Sequence, residues 1–156
     1  MTYYFEYNSP VAAIRIIENG RAITSIKFTL THPNPPSDAE KHETPLIKET
    51  YKQLCEYFNG QRTMFDVPLE MYGTDFQKRV WDALRTIPYG ETRSYQQIAV
   101  IAKCPKGARA VGMANNRNPI TIIVPCHRVI GADGSLTGYA AGLPVKQKLL
   151  QIESVL

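Results

Sequence analysis

The sequence predicts a mixed α/β chain of the α+β kind, an antiparallel sheet backed by one helix followed by a helical half. Three observations carry this: strand-like apolar runs crowd the first 28 residues, helical apolar spacing begins at Thr44, and the pattern changes again near residue 70. At 156 residues with 44% hydrophobic and 21% charged side chains, the chain has the composition of a soluble globular protein with one shared core or two small lobes. We place the division at residues 1–70 and 71–156. No apolar run approaches the roughly 20 residues of a membrane span, and MTYYFEYNSP lacks the basic-then-apolar order of a signal peptide, so the expected compartment is the cytoplasm.

In chain order, Tyr3–Tyr7, Val11–Glu18 and Arg21–Phe28 read as three antiparallel strands. Asn19-Gly20 between the second and third is a hairpin signal, because both residues tolerate positive φ. His32–Glu40 carries Pro33, Pro35 and Pro36 and reads as a surface loop. Thr44-Pro45 then offers an N-cap with proline in the first turn. Ile47, Tyr51, Leu54 and Phe58 recur on one helical face until Asn59-Gly60 stops it. Met64–Val67 reads either as one more strand or as linker.

Beyond Gly73, Thr74 with Gln77 forms a capping box ahead of Phe76, Val80, Trp81, Leu84 and Ile87, and Ser94 with Gln97 repeats the signal. A third helix is predicted over Ala108–Asn115. Two short helices joined by a tight turn suit a helix-turn-helix, although any small bundle gives the same pattern. Small residues at Gly107, Ala108, Ala110, Gly112 and Ala114 would let this helix approach a groove, with Arg109 and Asn115–Arg117 as donors. The same small face would equally let two protein helices touch, leaving Arg109 a solvated cation. The net charge of +4 permits a polyanionic partner without requiring one.

Chemistry concentrates at PCHRVI. Ile120–Val124, bracketed by Pro119 and Pro125, is β-branched and predicts a buried extended segment that delivers Cys126 at its end. A thiol beside histidine and arginine suits an activated nucleophile, because cations favour thiolate, although free cysteines are also commonly buried and inert. On an extended strand Cys126 and His127 would point to opposite faces and could not pair directly unless the chain bends there or water intervenes. Glu153, on a terminal helix predicted over Pro144–Val155, could orient the histidine as the third member of a relay, against the simpler expectation of a solvated carboxylate.

Competing thiol chemistries fit less well. Cys55, Cys104 and Cys126 form neither a Cys-x-x-Cys pair nor, with His32, His42 and His127, a short-spaced zinc set, so no metal is expected. A Cys-x5-Arg phosphatase loop fails because Ala132 occupies the arginine position, and PCHRV lacks the local context of a papain-type protease. Thr137–Gly142 reads as a pocket wall of exposed amides with one aromatic, suited to a planar ligand.

Taken together, GTDFQ (73–77), IPYGET (87–92), SYQQ (94–97), RAVG (109–112), Asn118-Pro119 and PCHRVI (125–130) resemble the methylated-DNA–protein-cysteine methyltransferases, which remove alkyl groups from O6 of guanine. The resemblance is strong over residues 70–156 and weaker before. It implies an N-terminal ribonuclease-H-like lobe and a C-terminal winged-helix-like domain that binds double-stranded DNA through its minor groove and flips the damaged nucleotide. Extrusion is needed because a thiolate cannot reach the target atom inside the stack.

By the same resemblance Cys126 is the alkyl acceptor, His127 its base through water, Glu153 the orienting acid, and Asn118 the support of the turn. Tyr95 helps rotate the nucleotide and donates to the departing guanine, while Arg109 fills the vacated stack, with Gln96, Ala110 and Arg128 also on the DNA. Tyr139 lines the pocket, where the carbonyls of Cys126 and Val129 and the amide of Ala140 read the base. The implied reaction is a single irreversible methyl transfer from O6-methylguanine, with O4-methylthymine a second candidate, by a monomer without metal, cofactor or diffusible methyl donor.

Two departures stand out: Ala140 lies where some relatives carry serine, and Ala141 replaces a common glycine, which would narrow or stiffen the wall. Two other classes compete. Non-reactive alkyltransferase-like proteins bind lesions and recruit other factors, but typically carry tryptophan where this chain has Cys126. A helix-turn-helix regulator would bind DNA sequence-specifically without transferring an alkyl group.

Overall fold

A computed structural model describes residues 1–156, which divide into two compact units, Met1–Met71 and Tyr72–Leu156.

In the first unit, β1 (Thr2–Tyr7), β2 (Ile14–Glu18) and β3 (Ile23–Phe28) form an antiparallel meander with β2 in the middle. Ile14, Ile16, Ile23, Ile26 and Phe28 are buried beside Ile47, Leu54 and Tyr57 of α1 (Pro45–Phe58), whose N-cap Thr44 accepts from the Ile47 amide. The hairpin between β2 and β3 is longer than the Asn-Gly signal alone suggests. Asn19 Oδ1 accepts from the amides of both Arg21 and Ala22, Gly20 takes φ +92°, and the third strand starts at Ile23.

The sheet has four strands rather than three. β4 (Ala39–Lys41) pairs parallel to β1, so the expected loop over His32–Glu40 ends in an edge strand. Three residues with two charges show no alternation, and charge is what an edge strand tolerates. Met64–Val67 is linker, and only Leu69 behind it forms a bridge, to Ile23. No helix is long and apolar enough to cross a membrane.

In the second unit, α2 (Asp75–Leu84), α3 (Tyr95–Ile101) and α4 (Ala108–Asn116) pack on one another, and both predicted capping boxes are present. Trp81 anchors the group: its ring is buried and its Nε1 donates to the Ala114 carbonyl at 2.9 Å. Gly73 is required by this packing, since a Cβ there would lie 2.6 Å from the Trp81 ring. Two short strands, β5 (Arg93–Ser94) and β6 (Val129–Ile130), pair in parallel, and α5 (Leu143–Ile152) closes the chain.

The ITIIV run departs from its expected form. Ile120, Thr121, Ile122 and Val124 are buried as predicted, but the run is a tight turn, with the Val124 amide donating to the Ile120 carbonyl at 3.0 Å and Ile122 at φ +74°. A β-branched residue there costs on the order of 1–3 kcal/mol, so neighbouring structure must hold it. Asn118 does so, its Nδ2 donating to the Val124 carbonyl at 2.7 Å and its Oδ1 accepting from the Ile120 amide at 3.0 Å.

Candidate active site

The turn held by Asn118 runs through Pro125 into a single 3-10 turn, Cys126–Arg128, rather than an extended strand. In a 3-10 turn successive side chains diverge by about 120°, which removes the strict opposition of neighbours expected for a strand. Cys126 is 3% exposed, and its carbonyl accepts from Asn115 Nδ2 at 3.3 Å.

His127 is fully buried, and its Nε2 lies 2.6 Å from Glu153 Oε2. Glu153 caps the C-terminus of α5 and is buried rather than solvated. Its carboxylate also accepts from Arg128 Nε at 2.8 Å, Arg128 Nη2 at 3.2 Å and the Gly90 amide at 3.1 Å. Four donors fill the acceptor sites of one carboxylate, which keeps it ionised.

An ionised Glu153 can only accept, so His127 Nε2 carries the hydrogen and Nδ1 is the basic nitrogen. Burial holds the His127 pKa below its ordinary 6.5, with Arg128 and Lys146 adding to the effect and Glu153 opposing it. The imidazole is therefore neutral at pH 7. The contact to Glu153 is a hydrogen bond that fixes the tautomer rather than an ion pair.

Arg128 is corrected by this geometry. Expected on the DNA, it is 6% exposed and directs its guanidinium to Glu153 and, at 2.7 Å, to the Ile87 carbonyl, lying over the Tyr89 ring. Tyr89 in turn donates to the Ile152 carbonyl at 3.2 Å. The IPYGE segment thus secures the acid at the end of α5.

Lys146 went unnoticed in the sequence. Its side chain is buried on the apolar face of α5, and Nζ donates to the carbonyls of Val129 at 2.6 Å and Thr137 at 2.9 Å. Burial lowers its pKa to about 8, with the neighbouring Cys126 acting weakly in the other direction. The signal was available: a lysine beside Val145 in a stripe continued by Leu149 and Leu150 breaks the amphipathic pattern.

The Tyr95 hydroxyl also donates to the Thr137 carbonyl, at 3.1 Å. Lys146 and Tyr95 therefore both tether the wall that carries Tyr139, which is buried, Ala140, which is exposed, and Ala141, which is half-buried. The Tyr95 ring lies against α4, 3.7 Å from where a Gly112 Cβ would stand. Arg109 and Ala110 are exposed on α4, and Gln96, exposed on α3, ties down the intervening turn through the Pro105 carbonyl at 2.7 Å. Cys126, His127, Glu153, Asn118 and Val129 thus share one buried cluster, while Arg109, Ala110 and Gln96 lie on the surface. A further signal is charge: from Thr92 to Ala132 the sequence contains no aspartate or glutamate.

Family models for the 6-O-methylguanine DNA methyltransferases match both units, the ribonuclease-like domain over residues 2–71 and the DNA binding domain over residues 75–155. The chain belongs to this family. A methylated-DNA–protein-cysteine methyltransferase of Methanosarcina acetivorans is 49% identical over 154 residues, covering 97% of each chain. One from Mycobacterium bovis is 49% identical over 156 residues, covering 98% of this chain and 93% of its own. Among solved structures, Mycobacterium tuberculosis OGT in complex with DNA is similar at TM-score 0.90 and 46% identity, covering 97% of this chain and 92% of that one. The family assignment agrees with the resemblance read from the motifs, and with the mixed fold of a ribonuclease-like unit and a DNA-binding unit.

Proposed function

We propose that this protein repairs O6-methylguanine in double-stranded DNA by moving the methyl group, once and irreversibly, to Cys126. The observation that carries the reading is the buried pairing of Glu153 with His127, the residue after Cys126 in the same 3-10 turn, which leaves a neutral imidazole with Nδ1 as its base. His127 takes the thiol proton through one water. The thiolate attacks the methyl carbon in line, the S–C bond forms as the C–O6 bond breaks, and the bonding pair leaves on guanine, which takes up one proton, balancing the one that His127 received from the thiol, and becomes the normal base.

Tyr95 rotates the nucleotide and donates to the departing base, Arg109 fills the vacated stack, and Gln96 and Ala110 lie along the backbone. The carbonyls of Cys126 and Val129 and the amide of Ala140 read the guanine edge beside Tyr139, and Lys146 holds the Val129 carbonyl in place. Asn118 keeps the turn that presents the thiol. In this reading residues 71–156 perform recognition and transfer, residues 1–70 form the ribonuclease-like domain, and a monomer acts on DNA in the cytoplasm. A thioether at Cys126 has no route back to thiol, so the protein is consumed.

The test is a titration of lesion duplex with increasing protein. Loss of one lesion per protein molecule, abolished in Cys126→Ala while that variant still binds the duplex, is expected. Binding without loss of lesion by the wild-type chain would favour a recruiting role instead.

A further inference from the structure

The exposed residues of α4 are Arg109, Ala110, Met113 and Asn116, and their spacing, continued by Arg117 at the C-cap, places them on one helical face. Val111, Ala114 and Asn115 fill the buried side, so the core makes no use of Met113, which is 61% exposed. A lone exposed apolar side chain is ordinary. This one is bracketed by Arg109 one turn before and Arg117 one turn after, and the acid-free stretch from Thr92 to Ala132 surrounds it. Such a face complements a polyanion, and Ala110 beside Arg109 lets the backbone approach closely.

We propose that Met113 is a further DNA-contact residue, its thioether side chain entering the minor groove beside Arg109 and packing on the sugars and base edges next to the extruded nucleotide. The inference rests on the repair reading above. At 1.5 Å per residue, Met113 lies about 6 Å along the helix from Arg109, a reach of about two base steps. Proteins that deform DNA through the minor groove use cations for the backbone and apolar wedges, methionine among them, to hold steps apart. A flexible, polarisable side chain suits that position because it can follow the groove floor in different sequence contexts. Arg109 would occupy the gap, and Met113 would hold the flanking step open.

The experiment compares wild type, Met113→Ala, Met113→Leu and Met113→Gln on an O6-methylguanine duplex carrying 2-aminopurine beside the lesion. Affinity, the fluorescence rise on unstacking, and single-turnover transfer at limiting and saturating DNA are all recorded. Met113→Ala and Met113→Gln should weaken binding about tenfold, the scale of burying much of one methionine, and reduce the fluorescence rise. Met113→Leu should restore both, with melting temperatures unchanged throughout. Transfer should suffer at limiting DNA and recover at saturation. Alanine and glutamine variants that bind and unstack like wild type would overturn the proposal. Wild-type protein that binds and unstacks but moves no methyl group would defeat the repair reading, while the comparison of variants still decides the role of Met113.

Discussion

Replacing Glu153 with glutamine keeps the size of the side chain and removes the charge at the centre of the buried cluster. The carboxylate accepts from His127, twice from Arg128 and from the Gly90 amide, and an amide cannot accept at the atom that becomes NH2. Arg128, 6% exposed, would be left as a buried cation facing a neutral dipole. Breaking a buried pair in this way costs about 3–5 kcal/mol, which in a chain of this size lowers the melting temperature by roughly 6–20 °C. The amide also no longer fixes the His127 tautomer, and losing a positioned base reduces transfer by about 10²–10⁴-fold. The assay is single-turnover transfer from lesion duplex, quenched and followed by loss of O6-methylguanine, well below the melting temperature of the variant and across pH 5.5–8.5. A Glu153→Gln rate within about twofold of wild type at every pH would refute the relay. A wild-type melting temperature would refute the structural half of the reasoning.

Four further expectations concern the same site and its wall. Because the folded His127 pKa is held below 6.5, transfer should stay flat through neutral pH and fall only in more acid solution, and a midpoint at or above 6.5 would contradict a buried neutral base. Over the same window the unfolded chain binds the proton first, so stability, read by chemical denaturation, should decline as pH falls from 6.5 toward the folded value. Lys146→Met removes the donor to the Val129 and Thr137 carbonyls and should slow transfer about tenfold or more with little change in melting temperature, since a buried charge is removed with its bonds; a loss under twofold would take Lys146 out of the pocket. Ala141→Gly should accelerate transfer from benzylguanine more than from methylguanine, whereas equal wild-type rates for the two adducts would sink the narrowed wall.

Local chemistry made most of the fold legible. The capping boxes at Thr74 and Ser94 and the Thr44-Pro45 helix start depend on neighbouring residues and appear as read. β4 was hidden because three residues with two charges show no period, and only pairing with β1 makes them a strand. The ITIIV run misled because β-branched residues favour extension, whereas Asn118 closes the chain into a turn that sets Ile122 at positive φ. Cys126 and His127 were legible as chemistry, but their 3-10 geometry was not, since it follows from that turn. The resemblance alone puts Arg128 on the DNA, and nothing in the local sequence signals that its guanidinium turns inward. Its partner Glu153 lies 25 residues away in sequence and meets it only after folding. Lys146 and Met113 were both visible as breaks in helical patterning, one a charge on an apolar face and the other an apolar side chain on a polar face.

Every proposed role in the site depends on Cys126 accepting the methyl group. Intact-mass and peptide mass spectrometry of the protein after reaction with excess O6-methylguanine duplex test it most directly. One added methyl group per chain is expected, confined to the peptide containing Cys126, with guanine restored in the DNA. An unmodified Cys126, a methyl group on Cys55 or Cys104, or several lesions removed per chain would contradict it.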